Sequence, residues 1–383
     1  MSKKKILVFI DWFRPGFRAG GPVQSCVNLI DHLKDEFDFS IITSDTDYME
    51  DKPYAGIRSN EWITREDGVR VYYFSKARLN RRNMEALVEQ EVFDVAYLNG
   101  MFSRDFTLLP LRMLKRKKGK AKIVIAVRGM LAPSALRIKP VKKKLFLWYA
   151  KFTGLYSGVI FQSTNQQESF DIYNVKGLGE KEVLQAPNLP NNTAIGNYRP
   201  RAKRSGLLKL VNVARIAPEK NLLYALQVLE KVRSRVEFDF YGPVYDREYW
   251  KLCQEQIKKI PHNVTVNYKG VLDASKVVDT LNAYHYLFMP TRGENFGHII
   301  LQSFTAGTPV IISDQTPWKD LAGKNAGYDL SLAEPVRFAA VIDQCAALTQ
   351  EEYDFISRSA YEYARKLNDN IDPSLEKYRQ LFK

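Results

Sequence analysis

The sequence predicts an α/β protein made of two doubly wound domains, and three observations carry that prediction. Strand, loop and helix alternate through both halves of the chain, as in parallel sheets with helices on both faces. The central strands read as unbroken apolar runs, such as IVIAV within residues 122–127 and VII within 309–313. Runs of that kind suit strands buried on both sides. Between the halves, residues 187–200 are rich in Pro and Asn, which marks a linker. A chain of 383 residues has room for two such domains. The expected division is 1–190, a linker at 191–206, and 207–368, with a terminal helix in 369–383.

In the first half, residues 5–10 form an apolar strand that stops at Asp11. The loop after it ends in Gly20-Gly21, and Pro22 fits the first turn of the next helix. That helix continues through the amphipathic stretch 23–33. Strands are expected at 39–43, 69–74, 94–98, 122–127, 159–163 and 183–186. Residues 45–68 are a long polar, glycine-bearing excursion suited to ligand contacts. A polar-faced helix is expected at 81–91. Residues 139–156 combine clustered lysines with Leu145, Trp148, Tyr149 and Phe152. Two readings of that stretch stand: a helix lying in a membrane interface, or a helix whose aromatics face the core. The second half restarts the pattern, with strands at 208–214, 236–241, 264–268, 287–289 and 309–313. Its helices are expected from Asn221, over 274–283, over 296–306, and in two or three amphipathic pieces after Gly327.

The chemistry concentrates between Met289 and Asp320. Arg292, Gly293, Glu294 and Asn295 form a polar loop after a buried strand. A helix starting at Phe296 or Gly297 offers backbone N–H groups and its dipole to an anion, best a phosphate. Gly297 has no side chain to block a close approach. Glu294 precedes this point and Gln302 lies one to two turns beyond it, so a diphosphate here has a polar group on either side. Gly307 suits the left-handed residue that ends the helix. Arg215 and Lys220 share another strand-end loop, where two cations can neutralise a diphosphate leaving group. Gly20 and Gly21 form a weaker phosphate-loop pattern. Arg128 ends the strand at 122–127, where open α/β sheets bind ligands. It is expected either to hold an acceptor phosphate or donor oxygen bidentately, or to pair with a surface carboxylate. Asn99 and Ser103 end another strand; a turn-forming role is the commoner one for such an Asn.

The stretch 289–320 resembles the retaining glycosyltransferases of the GT-B fold, in particular the GT4 group. In that group a Glu, seven residues and a second Glu form the signature, and here the positions hold Glu294 and Gln302. The resemblance implies two Rossmann-like domains facing a central cleft, with the terminal helix returning to the first. It implies that Glu294 contacts the donor sugar, that the position of Gln302 binds the ribose, and that Arg215 and Lys220 hold the donor phosphates. It places Gly20 and Gly21 beside those phosphates, and Gly242, Val271 and Leu272 in the base pocket. Where many relatives carry a His near residue 128, this chain has Arg128. The segment Thr316-Pro-Trp-Lys-Asp320 is similar to a subgroup found in bacterial surface-polysaccharide loci. The implied activity is transfer of a sugar from a UDP-, GDP- or ADP-sugar to a hydroxyl, on a glycan or lipid-linked acceptor. The alternatives are a catalytically weakened nucleotide-sugar-binding protein, or another GT-B enzyme such as a nucleotide-sugar epimerase.

No Asp-x-Asp motif or His cluster suggests a metal site, and no cofactor is expected beyond the donor. The three cysteines, Cys26, Cys253 and Cys345, have no metal or disulfide spacing and read as core residues. The short apolar start and the lack of an eighteen-residue apolar run lead to the expectation of a cytoplasmic protein. The net charge is +14, and residues 104–151 hold fifteen basic residues against one acid, Asp105. That imbalance fits an anionic membrane surface, a phosphorylated acceptor or a solvated basic face. Nucleic acid would also fit the charge, but no nucleic-acid motif accompanies it; the membrane reading carries with it the expectation of a peripheral position on the inner face of the plasma membrane.

Overall fold

In a computed structural model, residues 3–116, 121–137, 140–192 and 195–383 are described. The chain divides into two compact units. One holds the described residues up to Asn192 together with Ile371–Lys383; the other ends at Asn370. The expected linker and the basic stretch both include residues outside those described, at 193–194, 117–120 and 138–139.

The N-terminal unit runs β1 (Lys4–Phe9), α1 (Gly21–Leu33), β2 (Phe37–Ser44), β3 (Trp62–Thr64), β4 (Arg70–Phe74), α2 (Arg81–Glu89) and β5 (Val95–Asn99). A π-helical turn, Arg104–Leu108, then leads into α3 (Leu109–Arg116). Next come β6 (Lys122–Ala126), α4 (Pro133–Leu136), α5 (Pro140–Phe152), β7 (Ile160–Ser163), α6 (Gln166–Asn174) and β8 (Glu182–Gln185). The sheet order is β3-β4-β2-β1-β5-β6-β7-β8. Every pairing is parallel except that of the edge strand β3 with β4. The order reverses between β1 and β5, so ligands are expected beyond the carboxyl ends of those two strands. A helix at Asp372–Phe382 completes this unit. Its Leu375, Tyr378, Leu381 and Phe382 are buried in the cluster that holds Ile6, Val8, Phe37 and Phe39.

The C-terminal unit runs β9 (Leu207–Val213), α7 (Leu222–Leu229), β10 (Arg235–Tyr241), α8 (Arg247–Ile257), β11 (Val264–Tyr268), α9 (Val277–Leu281) and β12 (Tyr286–Met289). It continues with α10 (His298–Thr305), β13 (Val310–Ser313), β14 (Gly327–Leu330), α11 (Pro335–Ala347) and α12 (Gln350–Asp369); the terminal helix is then α13. All pairings are parallel, in the order β11-β10-β9-β12-β13-β14. Counted within the unit this is 3-2-1-4-5-6, the doubly wound order whose switch point lies between β9 and β12.

Several expectations shift. The helix expected from residue 296 starts at His298, and Phe296 stays in the loop. The one expected from Asn221 starts at Leu222, after a 3-10 turn at Pro218–Lys220. That expected at 274–283 is a 3-10 turn followed by α9. The core-facing reading of Leu145, Trp148, Tyr149 and Phe152 is overturned, because all four are exposed. Leu147 and Ala150 fill the core side of α5 instead. The three cysteines are buried and free, as expected.

Candidate active site

The two loops that leave β9 and β12 meet at the switch point of the C-terminal unit, and hydrogen bonds tie them together. The Glu219 carbonyl accepts from the Thr291 hydroxyl and the Arg292 N–H, each at 3.0 Å. Asn221 is buried and sits in the left-handed region at φ 61°, which Asn tolerates better than most residues. Its Nδ2 donates to the Pro290 carbonyl at 2.9 Å, and its Oδ1 accepts from Arg292 Nε at 3.1 Å. Ser313, the last residue of β13, and Gln315 just after it hold the far side of the loop. The Ser313 hydroxyl donates to the Thr291 carbonyl at 2.5 Å, and the Glu294 N–H donates to the Gln315 carbonyl at 3.0 Å.

This frame brings the expected charged residues together. The Lys220 ammonium donates to Glu294 Oε1, with both side chains largely shielded from solvent. Arg215 Nη2 lies 2.8 Å from Glu219 Oε1, and its guanidinium sits 5.2 Å from the centre of the Tyr245 ring. The Arg215 Nε is buried, with no hydrogen-bond acceptor among the described residues. A buried donor without a partner is costly, so this N–H is a place where a ligand oxygen gains by binding.

Two glycines have steric reasons. Gly242, after β10, has φ 143°, and a Cβ there would lie 1.9 Å from the Ala214 carbonyl oxygen. The backbone beside Arg215 can therefore approach β10 only over a glycine. Gly297 caps α10 in the left-handed region, and a Cβ on it would fall 2.8 Å from Ile300 Cδ1. The Ile300 N–H closes back on the Gly297 carbonyl at 2.8 Å. Phe296 is held by its carbonyl, which accepts from Trp318 Nε1 at 2.5 Å. Gln302 is half-buried on α10, and its side chain hydrogen-bonds to no other described residue. Asn295 and Leu272 are half-buried as well, and Leu272 packs on the cluster that includes Val211 and Trp318.

In the N-terminal unit, Gly20 caps α1 at φ 73° and Gly21 begins it; both are exposed with open space around them. Arg128 differs from both readings made of it. It is buried with φ 55°, and it donates to neutral acceptors: Asn99 Oδ1 at 3.0 Å, Tyr97 OH at 3.0 Å and Asn188 Oδ1 at 2.5 Å. Arg128 and Asn99 therefore brace the strand ends against the segment after β8. Ser103 caps the turn after β5 and donates to Asp11 Oδ1 at 2.6 Å. Asp11 was not singled out in the sequence. Burial at the end of β1 pushes its carboxyl from 3.8 up to about 6, even against the Ser103 hydrogen bond. It lines a cavity of about 250 Å³ with Trp12, Asp45, Asp47, Lys76 and Phe106. A carboxylate that ends an apolar strand was the available signal. Among the described residues, no group of three or more His, Cys, Asp and Glu side chains could hold a metal ion.

Residues 197–364 match the model of the family described as glycosyl transferases, group 1. No curated protein matches the sequence. Among solved structures, sucrose-phosphate synthase from Thermosynechococcus elongatus is similar with a TM-score of 0.71 at 14% identity, covering 100% of this chain and 99% of that one. Anabaena HepE, solved with UDP and glucose, gives 0.66 at 14% identity over 97% and 99% of the two chains. S. aureus TarM, solved with UDP, gives 0.65 at 14% identity over 99% and 100%. The chain thus has the GT-B fold of two Rossmann-like units, and nearly all of its C-terminal unit matches the group 1 glycosyl transferases.

Proposed function

We propose that the protein is a retaining glycosyltransferase of the GT4 type, moving a hexosyl group from a nucleoside diphosphate sugar to a hydroxyl acceptor. The observation that carries the reading is the Lys220–Glu294 pair, with Arg215 on the same loop as Lys220, at the switch point of the unit that matches the group 1 family. UDP or UDP-glucose in the similar solved structures supports a nucleotide-sugar donor, with UDP-, GDP- and ADP-sugars as the candidates.

Arg215 and Lys220 hold the donor diphosphate and neutralise the charge that grows on it as the glycosidic bond breaks. Glu294 accepts hydrogen bonds from hydroxyls of the donor sugar. The Lys220 ammonium is paired with Glu294, so the diphosphate shares or takes over that cation when it binds. The exchange puts positive charge on the leaving group and frees carboxylate capacity for the sugar in one step. Two fixed cations supply the charge that a divalent ion provides in other transferases, so turnover proceeds without added metal. Phe296, Gly297 and Gln302 lie on the nucleotide side, with Gly242 and Leu272 nearer the base. The acceptor is a glycan or lipid-linked hydroxyl in cell-surface polysaccharide assembly, and the enzyme works in the cytoplasm at the inner face of the plasma membrane. A second reading, a nucleotide-sugar-binding protein of weakened activity, rests on Gln302 standing where the resemblance has Glu.

Thermal shift against UDP-, GDP- and ADP-sugars tests the donor, because ligand at a hundred times its dissociation constant stabilises by about 2.7 kcal/mol. Donor turnover with the cognate sugar then separates enzyme from binding protein. Arg215→Ala is expected to lose at least two orders of magnitude in turnover, in line with about 2.7–4 kcal/mol for one preorganised donor of positive charge. Full activity of that variant, or loss of wild-type turnover in EDTA, overturns the mechanism. Inverted product at the anomeric carbon overturns retention.

A further inference from the structure

We infer that helix α5 docks the protein on an anionic membrane, with Val141, Leu145, Trp148 and Phe152 inserted among the lipids and Lys142, Lys144 and Lys151 at the headgroups. This deepens the peripheral-membrane part of the proposed function and rests on it.

The helix carries two apolar stripes. Phe146, Leu147 and Ala150 point into the N-terminal unit, where Leu147 and Ala150 are buried with Leu155, Tyr156 and Leu178. The backbone at Gly177 lies so close that a Cβ there would meet the Leu147 carbonyl oxygen at 2.6 Å. Lys115 fixes the end of the helix by donating to the Gly154 carbonyl at 2.6 Å. The helix is therefore seated, and its outward face is set.

That outward face is apolar too. Val141 is 69% exposed, Leu145 63%, Trp148 68% and Phe152 82%. At about 100° of turn per residue these four fall within roughly 60° of arc, on the side opposite Phe146 and Ala150. Trp148 and Phe152 stack on one another, with ring centres 6.0 Å apart and planes inclined by 12°. A helix with one apolar stripe is satisfied by one core. A second, continuous stripe with large aromatics needs a second apolar partner.

The charges beside the stripe choose that partner. Lys144 and Lys151 lie about a quarter turn to one side of the stripe's centre and Lys142 about a quarter turn to the other; all three are exposed. Arg112 of α3 extends the basic border, with its guanidinium 5.8 Å from the centre of the Tyr149 ring. No acid lies on α5, and Asp105 is the one acid between residues 104 and 151. An apolar ridge bordered on both sides by lysines matches the boundary between acyl chains and anionic headgroups, where lysine stems reach outward while aromatics sink in. A second copy of the same chain would set these lysines against one another. No helix of the described residues is long and apolar enough to cross a membrane, so α5 lies along the surface.

The full-length protein tests this by sedimentation with vesicles of phosphatidylcholine alone or mixed with phosphatidylglycerol. The wild type is expected to bind the mixed vesicles and to release them as salt rises. Quenching of Trp148 by brominated lipid places that ring in the bilayer, and the quenching should vanish in Trp148→Leu while binding persists. The Trp148→Ser, Phe152→Ser variant and the Lys142→Glu, Lys144→Glu, Lys151→Glu variant should each lose at least about tenfold in binding. Both sets are exposed, so unchanged thermal unfolding and unchanged nucleotide-sugar binding separate this result from failure of the fold or of the enzymatic reading. No preference for phosphatidylglycerol overturns the inference. So does binding that survives the serine substitutions, or a lipid-free dimer that those substitutions dissolve.

Discussion

Asn221 carries more of the candidate site than its position in a turn suggests, and replacing it tests how the site is held. Its side chain makes two of the bonds that join the loop after β9 to the loop after β12, through Pro290 and Arg292. Asn221→Ala removes both bonds and leaves Ala at φ 61°, a conformation that costs an L-residue roughly 1–2 kcal/mol. The Pro290 carbonyl loses its donor in a buried setting, which costs about 1–3 kcal/mol. The bond to Arg292 is nearer solvent and adds little. Together the loss is about 2–5 kcal/mol. Asn221→Gly restores the backbone freedom without the bridge, so it should destabilise less than Ala but still clearly. Urea unfolding followed by the fluorescence of Trp250 and Trp318 reads the C-terminal unit. Turnover of the cognate donor should fall in both variants, because Lys220 precedes Asn221 and its ammonium must meet Glu294 across the same two loops. Wild-type stability in Asn221→Gly shows that the residue serves only its backbone conformation, and refutes the bridging role.

Gly242→Ala forces a methyl group onto the Ala214 carbonyl, so the β9 and β10 ends must part. A loss of about 3 kcal/mol or more is expected from such overpacking, and an unchanged melting temperature contradicts it. Asp11 provides a pH test. Its folded pKa is raised to about 6 from 3.8, so the native state binds the extra proton between those values. Stability from this group is intact below pH 3.8 and is lost as pH rises to about 6, by about 3 kcal/mol in all. Asp11→Asn should therefore match the wild type in acid and exceed it at neutral pH, as read by chemical denaturation across that range; a pH-independent difference removes the effect. Gln302→Glu restores a carboxylate toward the ribose in the proposed reading. Charged hydrogen bonds contribute roughly 1.5–3 kcal/mol against about 1 for neutral ones, so calorimetry should show donor binding tightened about tenfold. Equal affinities take Gln302 out of the site.

The parts of the molecule that were legible in the sequence are those with one dominant physical cause. Buried parallel strands such as β6 and β13 announce themselves as apolar runs, and the loop holding Glu294 stands out because polar residues interrupt such runs. β3 did not, because a three-residue antiparallel edge strand, half exposed, has no apolar run to show. β14 reads GYDL, a mixed sequence around a glycine. The orientation of α5 was undecidable from sequence, because its two faces are about equally apolar and only the surrounding packing selects Leu147 and Ala150 for the core. Arg128 reads in the sequence as a strand-end cation for a ligand oxygen or a surface carboxylate. The acceptors that bury it, Asn188 above all, come from a distant part of the chain that no local pattern connects to it. Asn221 was seen only as a helix start. Its bridging role depends on β12 lying beside β9, which is a property of strand order.

Helix α13 gives the N-terminal unit a feature that concerns how the chain is made. Phe382 packs edge-on against Phe37 and Tyr97, with ring centres 5.5 Å away in each case. The Tyr378 hydroxyl accepts from Gln162 Nε2 at 2.9 Å, and Arg379 grips Glu36 through two nitrogens at 2.7 and 2.8 Å. Those partners lie in the first half of the sequence, yet the residues that cover them are synthesised only after the whole C-terminal unit. While the chain emerges from the ribosome, the face of β1, β2 and β5 that includes Phe37 and Tyr97 is left open. The N-terminal unit is thus begun first and sealed last. For that interval the nascent protein displays an aromatic surface to chaperones and to its neighbours, and the C-terminal unit, whose sequence is uninterrupted, has the opportunity to fold before the unit that precedes it is complete.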